Sequence, residues 1–467
     1  MTNAPLRPFK ARPCTPTGPH DRVVIVGLGI SGLWTARWLI RQGTCVTVSD
    51  LKKPSDLDPV MLRELRDSGV ELETGGHRKE TFLGADMIVV SPGVPHGMRV
   101  LESARKKGIP VMGEMELASR FIDVPIIAVT GTNGKTTVSA LIGELLKNAG
   151  KKVFVGGNIG TPLMAYVAEN RESDWIVAEV SSFQLDATET FSPFISMILN
   201  ISPDHLDRYP DMEAYARSKL RIYENQGPGQ YVIFNDDDPR LSRVNPASGA
   251  GVLRYGWARR EGLHAFLEEG TAKVGLPGRP IHTFSMDRFA LPGFHNQENL
   301  LAALLVGMIL EVEDRVLQET IDRFKGLPHR IEYVGEVDGV RFYNDSKATN
   351  VDAARRAIAG FDNLVVLIAG GRHKGADYGP LVREAGRRLK AAVFLGEARG
   401  LLSEAFGNTV PCRVAGSMEE AARAAFSMAG PGDVVLLAPA CSSFDMFSDY
   451  RHRGDQFKAA VKGLMHG

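Results

Sequence analysis

A short glycine-containing segment has the residue types and spacing to bind a nucleotide triphosphate. It reads Thr130-Gly131-Thr132-Asn133-Gly134-Lys135-Thr136-Thr137. It follows an apolar strand pattern over residues 124–129 and precedes a helical pattern over residues 138–148, so its backbone N–H groups lie at a helix N-terminus, where polyphosphates bind. Lys135 would reach the terminal phosphates, and the Thr136 hydroxyl would bind Mg²⁺. Val129 stands where longer phosphate loops have glycine, so the sequence predicts a shortened phosphate loop.

Other polar clusters follow predicted strands, at the sheet edge where α/β proteins bind ligands. Glu179 ends an apolar strand and is placed to bind Mg²⁺ through oxygen. His205 lies in the loop over residues 200–207, whose Asp and His side chains could bind a metal or a substrate carboxylate. Two further loops, residues 344–350 and 370–375, carry lysines that could neutralise phosphate or carboxylate.

Two potentially reactive side chains gain no role from their local sequence. Lys219 lies in a helical pattern and is interpreted, from that pattern alone, as a solvated surface lysine. Cys441 lies in the loop over residues 439–445 and could be a nucleophile, but no histidine partner is identifiable, so we discount that role. The neighbouring hydroxyls of Ser442 and Ser443 could donate or accept hydrogen bonds.

A glycine-rich turn near the N-terminus, Gly27-Leu28-Gly29-Ile30-Ser31-Gly32, predicts a second nucleotide-binding segment. It follows a strand pattern and precedes a helical one, as in dinucleotide-binding proteins. Asp50 ends the next strand, where an acidic residue binds a ribose hydroxyl in nicotinamide enzymes. The same geometry serves any diphosphate-containing nucleotide, including a UDP-sugar, so this turn alone leaves an oxidoreductase open.

The elements that must position these residues alternate between strands and helices, which predicts parallel sheets covered by helices. A length of 467 residues favours about three domains, and 44% hydrophobic and 24% charged residues are typical of soluble globular proteins. Zero formal net charge gives no reason to expect a nucleic-acid or membrane partner. The cysteines lack metal or disulfide spacing, and we find neither a signal peptide nor a membrane span, so we predict a cytoplasmic protein.

Shifts in composition predict the domain boundaries. We expect an irregular proline-rich arm over residues 1–20, a first domain over 21–117, a central domain over 118–326 and a C-terminal domain over 327–467. Residues 246–293 are rich in Gly and Pro, with short alternating runs, and predict a small β-rich elaboration of the central domain.

In this order the motifs resemble those of the Mur ligases, from residue 22 to the C-terminus. Besides the phosphate loop, the resemblance rests on Glu179 with residues 181–185 and on residues 204–209, 219–223, 293–299, 329–332 and 344–350. It is greatest to the members that add D-glutamate to UDP-N-acetylmuramoyl-L-alanine. It implies a Rossmann-like UDP-binding domain, a central phosphate-loop ATPase domain with a parallel sheet, and a Rossmann-like C-terminal domain for the amino acid.

The resemblance implies an ATP-dependent ligase of peptidoglycan precursor synthesis. The substrate carboxylate would attack the γ-phosphorus of ATP to give an acyl phosphate and ADP, and the D-glutamate amine would then displace phosphate. Two Mg²⁺ ions and Lys135 would offset the repulsion between carboxylate and triphosphate. A domain closure would keep water from the acyl phosphate. The implied partners are small molecules alone, without nucleic acid or membrane, and the implied state is a monomer.

The resemblance also implies residue roles. The catalytic residues would be Lys135, Glu179, His205, Lys219 and Lys347. ATP would contact Gly131, Thr132, Asn133, Gly134, Lys135, Thr136, Thr137, Asn296, Asn299, Arg330 and Asp345. The UDP-substrate would contact Gly29, Ile30, Ser31, Asp50, Ser91, Pro92, Gly93, Asn158, Ser182 and Gln184. D-Glutamate would contact Thr349, Lys374, Ser443 and Phe444. Thr136 and Glu179 would bind one Mg²⁺, and His205 and Lys219 the other, with Lys219 as a CO₂-derived carbamate that supplies a hard oxygen ligand.

Competing interpretations explain less of the sequence. The run Asp237-Asp238-Pro239-Arg240 looks like the motif of diaminopimelate-adding relatives but lies in the predicted central domain, so we reject that match. Residues 374–377 and the UDP-type first domain disfavour another amino-acid-adding or folate-glutamylating ligase. A nicotinamide-dependent dehydrogenase would leave the phosphate loop, Glu179 and Lys347 unexplained. A non-catalytic scaffold is disfavoured because the lysines and the glutamate of the site are intact.

Overall fold

The described residues form three sheets flanked by helices. The computed structural model describes residues 17–205 and 208–465, so most of the predicted arm over residues 1–20 lies outside the described residues. The sheets are rich in parallel strand pairs, which confirms the predicted α/β fold class. In the described residues, helices long and apolar enough to cross a membrane are absent.

The first sheet carries the glycine-rich turn. Its strands are β1 (Arg22–Val26), β2 (Cys45–Asp50), β3 (Glu71–Thr74), β4 (Met87–Val90) and β5 (Val111–Gly113), and its helices are α1 (Ile30–Arg41), α2 (Pro59–Asp67), α3 (Lys79–Leu83), α4 (Arg99–Lys106) and α5 (Glu114–Ser119), with a 3₁₀ turn at Pro54–Asp56. The parallel strands lie in the order β3-β2-β1-β4-β5. The order therefore reverses between β1 and β4, where open α/β sheets bind ligands.

The central sheet carries the phosphate loop. Its strands are β6 (Ile126–Thr130), β7 (Val153–Gly157), β8 (Trp175–Glu179), β9 (Ile195–Ile198), β10 (Tyr231–Asn235), β11 (Gly251–Ala258), β12 (Ala265–Glu268), β13 (Thr271–Val274) and β14 (His282–Ser285). Its helices are α6 (Lys135–Asn148), α7 (Leu163–Ala168), α8 (Ser182–Leu185), α9 (Met212–Leu220), α10 (Phe294–Ile309) and α11 (Asp314–Arg323), with 3₁₀ turns at Arg221–Tyr223 and Leu241–Arg243.

The β-rich elaboration extends the central sheet. The strand order is β14-β13-β12-β11-β10-β9-β6-β8-β7, and β11 pairs in parallel with β10, so the elaboration continues the sheet edge. Strands β12, β13 and β14 then pair antiparallel. On the sheet's other side β6 lies between β8 and β9, and this order brings Glu179, at the end of β8, beside the phosphate loop.

The C-terminal sheet gathers three polar loops. Its strands are β15 (Glu332–Val337), β16 (Val340–Asn344), β17 (Val365–Gly370), β18 (Leu389–Leu395), β19 (Cys412–Val414) and β20 (Val434–Leu437), and its helices are α12 (Val351–Ala359), α13 (Gly379–Arg388), α14 (Arg399–Phe406), α15 (Met418–Met428) and α16 (Tyr450–Met465). The order is β15-β16-β20-β17-β18-β19, parallel except for the β15–β16 hairpin. Because β16, β20 and β17 are parallel neighbours, the loops that follow them lie at one edge.

A buried carboxylate at the junction of the first two sheets predicts a pH-dependent stability. Glu114 is 1% exposed, and one carboxylate oxygen accepts a hydrogen bond from the Met164 N–H at 2.6 Å. The other oxygen has no hydrogen-bond partner among the described residues. Burial raises the pKa of Glu114 to about 7, although the Met164 N–H opposes the shift. This group's contribution to stability is therefore complete below the unfolded pKa, near 4.5, and is lost as pH rises through about 7.

We therefore expect Glu114→Gln to raise the melting temperature more at about pH 8 than at about pH 5, because the variant removes the cost of a buried charge, roughly 3 kcal/mol. Thermal unfolding of both proteins across this range measures the effect. Glu102→Gln, on the exposed face of α4, is the matched control. Parallel pH profiles for wild type and Glu114→Gln would contradict the assignment.

Candidate active site

The phosphate loop has the backbone geometry that its glycines predict. Gly134 has φ +86°, and a Cβ there would lie 2.4 Å from the Asn299 Oδ1. An L side chain would be strained by that φ and would also clash, so glycine is required at this position. Helix α6 begins at the next residue, Lys135, and its first-turn N–H groups point into the loop. The loop therefore meets the requirement for polyphosphate binding at a helix N-terminus.

The Lys135 side chain packs back against the loop that precedes it. Its Nζ donates to the carbonyl oxygens of Gly131 at 2.9 Å and Thr132 at 2.8 Å. Burial lowers the pKa of Lys135, opposed by the negative charges of Glu179 and Asp204. The ammonium thus lies against the phosphate loop, at the start of α6.

Thr136 and Glu179 form a pair of hard oxygen donors. The Thr136 hydroxyl donates to Glu179 Oε2 at 2.6 Å, Asn158 donates to Glu179 Oε1 at 2.9 Å, and Arg330 donates to the Thr136 hydroxyl. Burial raises the pKa of Glu179, but the Lys135 charge and these hydrogen bonds outweigh it and hold the pKa below its usual range. An ionised carboxylate beside a hydroxyl fits Mg²⁺.

Lys219 is buried against the phosphate loop, so its interpretation as a solvated helix lysine is wrong. It is 2% exposed, its Nζ donates to the Gly131 carbonyl at 2.8 Å, and the Nζ lies 4.7 Å from the centre of the Tyr215 ring. Burial, followed by the nearby Lys135 charge, lowers its pKa well below the ordinary lysine value. Helix α9 alone gives no sign of this, because the buried environment comes from the loop after β6.

His205 lies beside the same cluster. It has φ +55°, and its Nε2 lies 3.7 Å from Asp204 Oδ2. Burial lowers the pKa of His205, the Asp204 charge opposes that shift, and the charges of Lys374 and Lys219 add to it. The neutral form of an imidazole is the form that can ligate a metal. In residues 17–205 and 208–465 no group of three His, Cys, Asp or Glu side chains could hold a metal ion.

A cleft of about 70 Å³ lies between the phosphate loop and the C-terminal sheet. Its walls include eight of the predicted site residues: Asn133, Gly134, Thr137, Asn296, Asn299, Arg330, Asp345 and Lys347. Burial raises the pKa of Asp345 to about 7, opposed by Arg330, and burial lowers that of Lys347 to about 8. The Lys347 Nζ lies 3.9 Å from the centre of the Tyr450 ring. The structure therefore brings these residues, from two sheets, to one cleft.

Sequence reasoning missed part of the cleft wall. The missed residues include Asn235, Tyr255, Leu291, His295, Glu298 and Arg356. Asn235 ends a parallel strand, so the rule that strand ends bind ligands could have found it. His295 and Glu298 lie in residues 293–299, a segment that carried the family resemblance, but no role was assigned to them. Tyr255, Leu291 and Arg356 lie in a strand, a connection and a helix, and only tertiary packing brings them to the cleft.

The predicted UDP-binding residues fall into two groups. At the edge of the first sheet, Asp50 accepts a hydrogen bond from the Leu28 N–H at 2.6 Å, and the Ser91 hydroxyl donates to the Gly27 carbonyl at 2.8 Å. The Ser91 bond joins the turn that carries Gly29, Ile30 and Ser31 to the loop that carries Ser91, Pro92 and Gly93. The Asp50 bond joins the same turn to the end of β2. A Cβ at Gly32 would lie 2.2 Å from the Gly27 carbonyl oxygen, so the turn requires glycine there.

The second group lies in the central unit. Asn158 binds Glu179, as described above, and Ser182 and Gln184 are 3% and 4% exposed in α8. Gln184 and Ser181 form a capping box at the start of α8, and the Ser182 carbonyl accepts from the Ser218 hydroxyl at 2.8 Å. The side-chain oxygen of Gln184 is therefore engaged within its own helix, while Asn158 belongs to the Thr136–Glu179 cluster.

The predicted D-glutamate residues lie on the loops after β16, β17 and β20. Lys374 is exposed, Ser443 is 2% exposed and Phe444 is 63% exposed, while Thr349 is half-buried beside Asn350, the N-cap of α12. A backbone hydrogen bond from the Arg372 N–H to the Ser442 carbonyl at 2.9 Å joins the loops that carry Lys374 and Ser443.

The Lys374 loop is also anchored by a polar chain. The Tyr378 hydroxyl lies 2.9 Å from His373 Nδ1 and 3.2 Å from Cys441 Sγ. Burial raises the pKa of the Cys441 thiol, so this cysteine is a poor nucleophile. It is a buried structural contact, and Tyr378 fixes the residue that precedes Lys374.

Three family descriptions match successive parts of the chain. Residues 21–113 match the Mur ligase MurD-like N-terminal domain, residues 129–307 the Mur ligase middle domain, and residues 329–441 the Mur ligase glutamate ligase domain. Together these segments cover most of the described residues.

Relatives are similar over nearly the whole chain. A UDP-N-acetylmuramoylalanine–D-glutamate ligase of Desulfosudis oleivorans is 46% identical over 448 residues, which are 96% of this chain and 97% of that protein. A protein of the same name from Pelotomaculum thermopropionicum is 44% identical over 455 residues, 96% of this chain and 99% of that one.

Solved structures share the fold. A pseudomurein peptide ligase type C from Methanothermus fervidus gives a TM-score of 0.60 at 19% identity, covering 95% of this chain and 100% of that one. A UDP-N-acetylmuramate-alanine ligase from Thermotoga maritima gives 0.57 at 19% identity with the same coverage. At these identities the likeness concerns the fold alone.

Proposed function

The chain belongs to the Mur ligase family, and from that premise we propose that it joins D-glutamate to UDP-N-acetylmuramoyl-L-alanine, with ATP converted to ADP and phosphate. Relatives that are similar over nearly its whole length carry the name of that reaction. The observation that carries the proposal is the buried cluster of Lys135, Thr136, Glu179 and Lys219 at the phosphate loop. There a triphosphate and a substrate carboxylate can meet despite their like charges.

In the first step, a carboxylate oxygen of the UDP-substrate bonds to the γ-phosphorus of ATP, and the bond to the β-γ bridging oxygen breaks. ADP leaves and an acyl phosphate remains. Lys135 and Arg330 both lie close enough to Glu179 for their charges to lower the pKa of its carboxyl group, so both cations border the proposed phosphate position. Catalysis of such a transfer consists of positioning and of charge stabilisation, which these groups supply.

Mur ligases use Mg²⁺ together with ATP. Here Thr136 and Glu179 would hold one ion, because their oxygens are hard donors 2.6 Å apart. His205 and Lys219 would hold the second. Bound Mg²⁺ would withdraw negative charge from the phosphate oxygens.

For the second site we propose that Lys219 is carbamylated. A buried lysine with a lowered pKa has a larger fraction of neutral amine, the form that adds to CO₂. The nitrogen–carbon bond forms, one proton leaves, and an anionic carboxylate replaces the ammonium. The product relieves the repulsion between Lys219 and Lys135 and supplies the oxygen donor that a lysine lacks.

In the second step, the D-glutamate amine bonds to the acyl carbon, the acyl–oxygen bond breaks, and phosphate leaves with its electron pair. The nitrogen gives up one proton to solvent, which leaves the neutral amide. Lys347 lies at the cleft with a lowered pKa and would neutralise the departing phosphate. Lys374, with hydroxyls of Thr349 and Ser443, would hold the side-chain carboxylate of D-glutamate. Phe444 would cover the pocket, and Asn296 and Asn299 would contact adenine.

The first sheet would hold the nucleotide sugar at its switch point, through the turn after β1 and the loop after β4. Asn158, Ser182 and Gln184 would contact the muramoyl-alanine end, close to Glu179. We further propose that the domains divide at residues 117 and 326, and that the protein acts in the cytoplasm as a monomer.

The test is phosphate release from ATP with UDP-N-acetylmuramoyl-L-alanine and one amino acid at a time. D-Glutamate should support release and give a product heavier by one glutamate residue, whereas L-glutamate, L-lysine and meso-diaminopimelate should not. Phosphate release with a different amino acid would support the ligase reaction but contradict the proposed D-glutamate-binding residues. No release with any of them, from folded protein, would reject the proposed reaction.

Removal of the Lys374 charge should weaken amino-acid binding and leave nucleotide binding nearly unchanged. We expect Lys374→Gln to raise the KM for D-glutamate by about 10- to 100-fold, the value of one charge-assisted hydrogen bond, with the KM for ATP nearly unchanged. Initial rates with each substrate varied in turn measure the split. Lys390→Gln is the control, since Lys390 pairs with Asp433 away from the cleft. An unchanged KM for D-glutamate would remove Lys374 from the pocket.

A further inference from the structure

The first turn of α12 in the C-terminal sheet reaches across the cleft to the phosphate loop. Asn133 Nδ2 donates to Asp352 Oδ2 at 3.0 Å, and Asn350 Nδ2 donates to Asn133 Oδ1 at 3.3 Å. Both polar atoms of the Asn133 side chain are therefore bound by residues more than 200 positions later in the chain. The sequence motifs assigned no role to Asp352.

The same turn contacts the loop that carries His205. The Ser202 hydroxyl donates to Asp352 Oδ2 at 3.0 Å, and Asn350 Nδ2 lies 3.2 Å from Asp204 Oδ2. Thus one carboxylate oxygen joins two loops of the central sheet, one for the phosphates and one for the predicted second metal. Asp352 is 14% exposed, so these hydrogen bonds are largely shielded from water.

Two arginines on the same helix keep the Asp352 carboxylate ionised. Arg355 Nη2 lies 3.0 Å from Oδ1, and Arg356 Nε lies 3.0 Å from Oδ2. Burial raises the pKa of Asp352, but these cations and the Ser202 hydroxyl outweigh it and hold the pKa below its usual range. Arg356 also pairs with Glu298 of α10 at 3.6 Å, which adds a third contact with the central unit.

Helix α12 has capping and packing contacts besides the ion pairs of Asp352. Asn350 caps it, accepting a hydrogen bond from the Ala353 N–H at 2.8 Å, and its inner face buries Ala354, Ala357 and Ile358. The hydrogen bonds that Asp352 accepts from outside its helix come from Asn133 and Ser202, both in the central unit.

We propose that Asp352 is a positioning residue that couples the C-terminal sheet to the phosphate loop. Lys347 and Thr349 lie in the loop that leads directly into α12. When Asp352 binds Asn133 and Ser202, that loop is fixed against the site of phosphoryl transfer. A nucleotide that orders the phosphate loop thereby favours the closed arrangement of the C-terminal sheet. This inference rests on the proposed ligase function and deepens it.

The test uses full-length Asp352→Ala and the milder Ser202→Ala. For Asp352→Ala we expect kcat to fall roughly tenfold or more, while the KM for the UDP-substrate changes less than about twofold, because the first sheet is not involved. Small-angle X-ray scattering with Mg²⁺ and a non-hydrolysable ATP analogue should give a larger radius of gyration for Asp352→Ala than for wild type. Ser202→Ala should change kcat in the same direction by a smaller factor.

Asp433→Asn is the matched control, because Asp433 is also a buried carboxylate of the C-terminal sheet but binds Lys390 and the Gly430 N–H within that sheet. It should keep wild-type kcat and radius of gyration. The double variant Ser202→Ala/Asp352→Ala should lose no more than Asp352→Ala, since both act through one hydrogen bond.

Additive losses of kcat in the double variant, or equal radii of gyration for wild type and Asp352→Ala, would overturn the coupling.

Scattering also distinguishes a failure of the proposed reaction from a failure of the proposed coupling. An inactive wild type whose radius still depends on Asp352 would reject the reaction alone, and an active wild type matched by Asp352→Ala would reject the coupling alone.

Discussion

Replacement of Lys135 by methionine is expected to lower kcat by about a thousandfold or more without unfolding the protein. The Lys135 ammonium donates hydrogen bonds to the Gly131 and Thr132 carbonyls. The terminal phosphates of bound ATP would replace those carbonyls as its partners. A preorganised charge of this kind is worth several kcal/mol in a site shielded from water. Methionine keeps most of the side-chain volume and removes the charge. Phosphate release and ATP binding by calorimetry measure the two parts of the effect.

The control for this variant is Lys147→Met, on the exposed last turn of the same helix. It should keep wild-type activity and the same melting temperature. Near-normal turnover by Lys135→Met would mean that the ammonium does not act on the transferred phosphoryl group. The catalytic centre would then have to be sought away from the phosphate loop.

Lys219→Ala should lower kcat by roughly a hundred- to a thousandfold, and short carboxylates such as formate or acetate should restore part of the activity. The reason is that alanine removes the proposed carbamate, and a free carboxylate can enter the vacated space as an oxygen donor. The burial of Lys219 at 2% exposure provides the enclosed space that such rescue requires. Rates measured over a series of carboxylate concentrations would show saturation.

The rescue distinguishes a carbamate from a simple cation. Formate should not restore Lys135→Ala, because that variant lacks a positive charge and an added anion would oppose phosphate binding. Lys219→Arg should stay inactive, since a guanidinium cannot form the carbamate. Full activity of Lys219→Ala without additives would remove the carbamate from the mechanism, and equal rescue of both alanine variants would show that the effect is unspecific.

The strands, the helices and the polar loops at the carboxyl ends of the strands could be predicted from local sequence patterns. An apolar run followed by a polar loop predicts a parallel strand and its carboxyl end, as at Val90 and Glu179. The apolar run and the polar loop can both be recognised within a short stretch of sequence. The phosphate loop could be predicted because its chemistry lies within eight consecutive residues. The family resemblance, later confirmed by relatives above 40% identity, implied roles for distant motifs such as Lys347, and those roles stay predictions.

Which side chains meet in the site depends on how the three sheets pack together. Lys219 reads as a surface lysine in its helix, yet its partner Gly131 lies 88 residues earlier and its environment comes from another element. Asp352 reads as an ordinary first-turn acid of a helix, yet it binds Asn133 across the cleft. The periodicity of a helix or strand predicts which of its faces is apolar. It does not predict which loop from elsewhere in the chain will pack against that face. Burial, pKa and the closing contact of the site therefore follow from the packing of the sheets.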